Sequence, residues 1–205
     1  MTKRLNAKKK ISRKLGVNLW GDPKGPFLKR NFKPGQHGAN TRTRSTDYGT
    51  QLKAKQRLKF YYGNISEKQF RNMFELASKI KGDTSENFIA MLESRLDAVV
   101  YRANFVPSVF AARQFVNHKH VTVNGNVVNI PSYRLKVGDV VQVRDKSSEL
   151  TIVLDSLQKK ERDIPVYLDL NSDEKSIKLI ARPSFADVPY PSEMEPHLIT
   201  EFYSR

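Results

Sequence analysis

The chain has 205 residues, with 36 Lys plus Arg against 21 Asp plus Glu and a net charge of +15. The absence of cysteine removes disulfides, thiolate metal sites and cysteine nucleophiles. No run approaches the ~18 apolar residues of a membrane span, and a 39% hydrophobic content is enough to build a core.

Residues 1–14 read as a short basic helix or arm, with seven basic residues and no acid before Asp22. The N-terminus has no apolar signal segment, so a cytosolic-type protein is expected, with a transit peptide as the open alternative. Residues 16–49 are rich in Gly and Pro and read as a long irregular segment, ordered mainly by contact with a partner. From Thr50 to Tyr62 the pattern is helical and stops at Gly63. Ser66 and Gln69 form a capping box before Phe70, Met73, Phe74, Ala77 and Ile80. Gly82 is a C-terminal stop. Thr84 or Ser85 opens a third helix, with Phe88, Leu92, Leu96, Val99 and Val100 on one face.

Ser108 is placed to cap a helix through His118, with Val109, Ala112, Phe115 and Val116 inward. The period then changes to two. His120–Val123 and Asn126–Ile130 form a hairpin around Asn124-Gly125, and Val140–Arg144 is a further strand. Val166–Leu170 and Ser176–Ala181 make a second hairpin. A last helix starts at Glu195-Pro196 and ends near Tyr203. The fold class is therefore α+β: a mostly helical N-terminal domain with a basic arm, a small helix-pair-and-β-sheet module, and a C-terminal hairpin and helix.

Nothing in the chain assembles into a familiar catalytic pattern. There is no phosphate-binding glycine loop followed by Lys-Ser/Thr and no Gly-x-Ser-x-Gly elbow. His118-Lys119-His120 lacks the further ligands that a metal needs close by in sequence. Asp169, Asn171 and Asp173 imitate part of a calcium loop without its Gly and distal Glu, and read as turn residues. No enzyme, no cofactor and no metal are expected.

The charge is unevenly placed. Residues 1–60 hold 17 Lys/Arg against 2 Asp/Glu, whereas residues 145–205 hold 8 against 12. A polyanion-facing half and a separate neutral or acidic surface follow. A membrane-surface helix would need an apolar face that Leu5, Ala7 and Ile11 are too few to make, so nucleic acid is the expected polyanion. The basic residues from Arg42 to Lys59 are interleaved with Tyr48, and rings can stack on unpaired bases while cations neutralise phosphates. In Pro34-Gly35-Gln36-His37-Gly38, glycines would let backbone N–H groups approach a phosphate. A concave face rimmed by Arg95, Arg113, Lys119 and Arg134 is expected on the module that follows Glu93. Scattered basic loops, with no single recognition helix for a major groove, favour folded RNA over DNA.

These residues also carry a family resemblance. Pro34-Gly35-Gln36-His37-Gly38, Asp47-Tyr48-Gly49-x-Gln51-Leu52, Lys55-Gln56 and Gln69-Phe70-Arg71-Asn72 are part of it. So are Glu93-x-Arg95-Leu96-Asp97, Val99-Val100-Tyr101-Arg102, Ala112-Arg113-Gln114, His118-Lys119, the stretch Val123–Ile130 and the ending His197-Leu198-Ile199. Over essentially its whole length the chain resembles the bacterial-type small-subunit ribosomal protein S4 family. Thr46 and Ala54 stand where that family often has Ser and Glu, and the zinc-binding N-terminal cysteines of some members are absent.

The resemblance implies a structural, primary rRNA-binding protein of the small subunit. It would bind the 5′ domain, nucleate assembly of the subunit body and contribute, with ribosomal protein S5, to translational accuracy near the mRNA entry channel. It implies no membrane and no small-molecule substrate. The location is the small subunit of a cytoplasmic ribosome, or of an organellar one. Repression of an mRNA leader by the same surface is the alternative function. The implied domains are a basic arm (1–49), a helical rRNA-binding domain (50–93), an S4-type RNA-binding domain (94–157), and a hairpin with a C-terminal helix packing back on the helical domain (158–205). The expected rRNA contacts in the arm are Lys3, Arg4, Gln36, His37, Arg42 and Arg44. In the helical domain they are Tyr48, Lys53, Lys55, Arg57, Lys59 and Arg71, with Arg95, Arg113, His118, Lys119, His120, Asn124 and Arg134 in the module.

Overall fold

Ile11 and Leu15, four residues apart, bury one side of helix α1 (Lys8–Leu15), while Lys9, Lys10 and Lys14 stay in solvent. In the computed structural model, which describes residues 7–40 and 46–204, this helix ends at Gly16 in the left-handed conformation, φ 72°. The chain divides into two units. One takes residues up to Phe74 with those from Tyr190 onward, and the other takes Glu75–Pro189.

In the first unit, the start of the segment after α1, which a partner was expected to order, is tied to its own chain. Leu19 is fully buried and the Trp20 indole donates to the Tyr61 carbonyl at 3.3 Å. A single turn, α2 (Pro26–Lys29), begins with Pro at its favoured first position. Helix α3 (Asp47–Tyr61) starts three residues before the expected Thr50. The cap is Thr46, whose hydroxyl accepts from the Gly49 N–H at 3.1 Å. Helix α4 (Glu67–Ser78), whose last turn already belongs to the second unit, has Ser66 Oγ accepting from the Gln69 N–H at 3.4 Å. Phe70, Met73, Phe74 and Ala77 are buried as expected, but Ile80 lies beyond the helix end and is exposed. The C-terminal helix (Pro196–Tyr203) packs along α3.

In the second unit, helix α5 (Thr84–Glu93) is capped by Asp83, which accepts from the Ser85 and Glu86 N–H groups. The single helix expected from residue 84 to 100 is in fact two. Arg95 is extended (φ −73°, ψ 142°) and pairs in an isolated antiparallel bridge with Arg134, after which α6 (Leu96–Arg102) begins. The strand-like bonds Leu96 N–H to Tyr133 O (2.9 Å) and Leu135 N–H to Ser94 O (2.8 Å) compete with helix continuation at this point. Helix α7 (Val109–Asn117) follows, capped by Ser108, with Val109, Ala112, Phe115 and Val116 buried as expected.

Strands β1 (Val121–Val123) and β2 (Asn126–Val127) meet at Asn124 and Gly125, both at positive φ (50° and 81°), as the tight primed turn requires. Strand β3 (Val140–Val143) follows. The sequence reading missed a turn, α8 (Asp145–Ser148), and helix α9 (Thr151–Lys159). Helix α9 buries Val153 and Ser156 and leaves Ile152 and Leu154 exposed. Strands β4 (Leu168–Asn171) and β5 (Ser176–Leu179) complete one antiparallel sheet in the order β2-β1-β3-β5-β4. Asn171 accepts from the Asp173 and Glu174 N–H groups, so this polar run is a turn, as expected.

Alternation puts Val121, Val123, Val141, Val143, Ile177 and Leu179 in the core. The expectation that residues 158–205 form one unit packing back on the helices is corrected. Val141 pairs with Ile177, so the hairpin extends the module's own sheet, and only the terminal helix lies against α3. Among the described residues no helix is long and apolar enough to cross a membrane.

Candidate nucleic-acid interface

Helix α3 carries Lys53, Lys55, Arg57 and Lys59, and helical geometry sorts them. Lys55 and Lys59, four residues apart, share a face. That face meets Glu67, whose two carboxylate oxygens accept from Lys55 Nζ at 2.8 Å and Lys59 Nζ at 3.0 Å. The Lys55 ammonium also lies 4.2 Å from the Phe202 ring centroid. Arg57 donates to the Glu193 carbonyl at 3.1 Å and the Glu195 carboxylate at 3.3 Å. Burial tends to raise the Glu67 carboxyl, but hydrogen bonds from Lys55, Lys59 and Tyr203 outweigh it and hold the group below its ordinary value.

Lys55, Arg57 and Lys59, expected to meet rRNA, therefore already have partners on the chain itself. In the free protein they are engaged by its own carboxylates, and Lys55 is buried. Lys53 is exposed, as are Arg71 and Tyr48, whose ring lies 5.6 Å from that of Phe202.

The Pro34–Gly38 loop has Gln36 and His37 exposed at its tip. Its Gly38 is required for closure of the chain on itself, because a Cβ there would come within 1.8 Å of the Lys33 carbonyl oxygen. The guanidinium of Arg13 donates to the Phe32 and Lys33 carbonyls at 3.1 and 3.2 Å and fixes the loop base. Sequence reasoning missed Arg13; only its place in the basic run marks it. Lys3, Arg4, Arg42 and Arg44 lie outside the described residues.

In the second unit the expected rim is only partly present. Arg95 is not on a surface: it is fully buried and makes two bonds to Asp97, at 2.9 and 2.7 Å. Arg113 reaches the same carboxylate at 3.5 Å and is half-buried. The extended backbone that breaks the helix at Arg95 also turns its side chain inward, so this residue has no face to offer a phosphate. Lys119 and Arg134 are exposed, as expected.

Asn124 is exposed but occupied. Its Oδ1 accepts from the Val140 N–H and its Nδ2 donates to Asp139, both at 2.9 Å, so its first role is the turn. His118 is exposed and His120 half-buried, with ring centroids 6.0 Å apart. His120 Nδ1 pairs with Ser147 Oγ at 2.8 Å. Desolvation, then the nearby His118 and Arg144, push its pKa below the usual imidazole value. Arg144, also missed, donates to the Lys119 carbonyl at 2.9 Å and holds the junction where Lys119 sits at φ 64°.

What remains outward is a dispersed set of cations with the Tyr48 ring and the imidazoles of His37, His118 and half-buried His120, groups suited to phosphates and unpaired bases. No cluster of three or more potential metal ligands occurs among the described residues.

Comparison with known proteins sets a boundary at residue 93 rather than at Phe74. A family model described as the ribosomal protein S4/S9 N-terminal domain matches residues 3–93, and one described as the S4 domain matches residues 94–141. The chain is 58% identical over 205 residues, all of both chains, to the small ribosomal subunit protein uS4 of Nitrobacter winogradskyi and to that of Brucella abortus. The corresponding protein of Cereibacter sphaeroides is 55% identical over the same length.

Proposed function

This chain belongs to the ribosomal protein S4 family, and we propose that it is a primary rRNA-binding protein that binds the 5′ domain of small-subunit rRNA and nucleates assembly of the subunit body. The family is a structural one of the small subunit rather than an enzyme class. The observation that carries the reading is the full-length identity to relatives named as small-subunit proteins, spread over both matched regions. The ribosome is accordingly its proposed location, and the acidic C-terminal third is its proposed face toward ribosomal protein S5, with a contribution to translational accuracy near the mRNA entry channel.

The arm over 1–49 and the helices over 50–93 form one proposed RNA-facing region, and the module over 94–157 forms the other. On the first, Lys3, Arg4, Arg42, Arg44, Lys53 and Arg71 are the proposed phosphate contacts, with Gln36, His37 and Tyr48 beside them. On the second, Arg113, Lys119 and Arg134 take phosphates, and His118 and His120 face phosphate or base.

Filter binding to the isolated 5′ domain at several salt concentrations, with a scrambled RNA as competitor, tests this. About eight phosphate contacts give a log-log salt slope of about −6 to −7. A slope shallower than about −2, or equal affinity for both RNAs, would discard the reading.

A further inference from the structure

The first unit contains a set of cationic donors already satisfied by an anion of its own. Lys55 Nζ, Lys59 Nζ and the Tyr203 hydroxyl converge on one carboxylate, that of Glu67, at 2.8, 3.0 and 3.0 Å. The two lysine side chains are mostly enclosed, at 8% and 13% exposure, whereas the Glu67 side chain is 47% exposed. Glu67 therefore lies between these cations and solvent. Two oxygens on two ammonium groups, with a hydroxyl as third donor, is also an arrangement that a phosphate could accept. Arg57 repeats the theme, with its guanidinium on the Glu195 carboxylate at 3.3 Å.

We propose that Glu67 and Glu195 are specificity-determining residues: built-in anions that compete with RNA phosphates for Lys55, Lys59 and Arg57. The proposal rests on the RNA-binding reading above. An RNA that meets many other contacts at once can displace these carboxylates or bind beside them. An arbitrary RNA, which meets few, finds α3 with most of its cations neutralised, so non-specific affinity is suppressed more than specific affinity. This explains why so basic a helix keeps only Lys53 exposed among its four cations. It also gives the C-terminal segment a role in recognition, since Tyr203 steadies Glu67 and Glu195 precedes the terminal helix.

The test compares the full-length protein with Glu67→Gln, Glu195→Gln and the double variant. Each is titrated with the 5′ domain and with scrambled RNA over a salt series, and a urea melt checks folding. Glu67→Gln is expected to raise scrambled-RNA affinity by about two- to fivefold per cation released. It should also steepen the salt slope by about 1–2. Affinity for the 5′ domain should rise less, so that discrimination falls. An unchanged slope and an unchanged ratio in folded Glu67→Gln would overturn the proposal. If that variant does not fold, Glu195→Gln decides: its slope steepens by about 1, or the idea fails. A wild-type protein that does not discriminate between the RNAs would sink the RNA-specific reading. It would leave the wild-type-to-variant difference in slope readable by itself.

Discussion

Two regions of the molecule hold basic residues against acids, and they do it in opposite ways. Around α5 and α6 the pairs are buried. Arg95 meets Asp97, and Arg102 meets Glu93 at 2.8 and 3.1 Å, with the Tyr167 hydroxyl donating to Glu93 at 2.8 Å. Along α3 the pairs stand at the edge of solvent, with Glu67 about half exposed. Desolvation makes the difference. A buried pair is a fixed part of the fold, because neither member can be left alone without water. A half-exposed pair is worth little and can exchange one anion for another. Charge is thus structural in one region and available for competition in the other.

The comparison breaks most visibly at Glu93. Replacing it with Ala leaves Arg102 buried without its carboxylate and Tyr167 without its acceptor, and should cost ~3–5 kcal/mol of unfolding free energy. Urea denaturation reads this as a lowered midpoint. A loss below ~1 kcal/mol would mean that the buried pair relaxes into water and that the two regions are alike after all.

A smaller effect separates structure from contact at Asn124. Asn124→Ala keeps neither the two side-chain bonds nor an easy route to positive φ, and should cost ~2 kcal/mol. Asn124→Gly restores the backbone freedom and should lose ~1 kcal/mol with RNA affinity unchanged. A fall in RNA affinity for the folded Gly variant would return this residue to the interface. At Thr46, exchange for Ala removes the cap on the Gly49 N–H and should cost about 1 kcal/mol, read from the helical signal on thermal melting.

Local patterns made much of the fold legible. Ser108 before Val109, Ala112, Phe115 and Val116 specifies a capped amphipathic helix, and Asn124-Gly125 specifies a primed turn; both are present. The break at Arg95 was not legible, because its cause is a pairing with Arg134, 39 positions away, which no helical period can reveal. Helix α9 was missed because its consecutive Ile152-Val153-Leu154 reads as readily as strand as helix. At the candidate interface the sequence marked the basic residues and the half of the chain that carries most of them. It could not say which cations were already answered. Lys55 and Lys59 are paired by a residue at the start of the next helix, and Arg57 by one 138 positions on, so only the folded chain brings those carboxylates to α3.

The smallest expected effect is also the one that best sharpens the contrast. The folded-state pKa of Glu67 lies below its ordinary value of 4.5. Between the folded and unfolded pKa values the unfolded chain binds the extra proton, so stability rises with pH across that window. The contribution of Glu67 is therefore fully present above about pH 4.5 and is lost as pH falls through the folded value. Because the group is half exposed, solvent screening keeps the loss below ~1 kcal/mol. Urea midpoints for the wild type and Glu67→Gln should converge as pH falls below 4.5, and added salt should narrow their separation at neutral pH. A separation that persists at low pH, insensitive to salt, would show that Glu67 acts through packing. The carboxylate would then be no anion held in competition with phosphate, and the α3 region would resemble the buried pairs it is contrasted with.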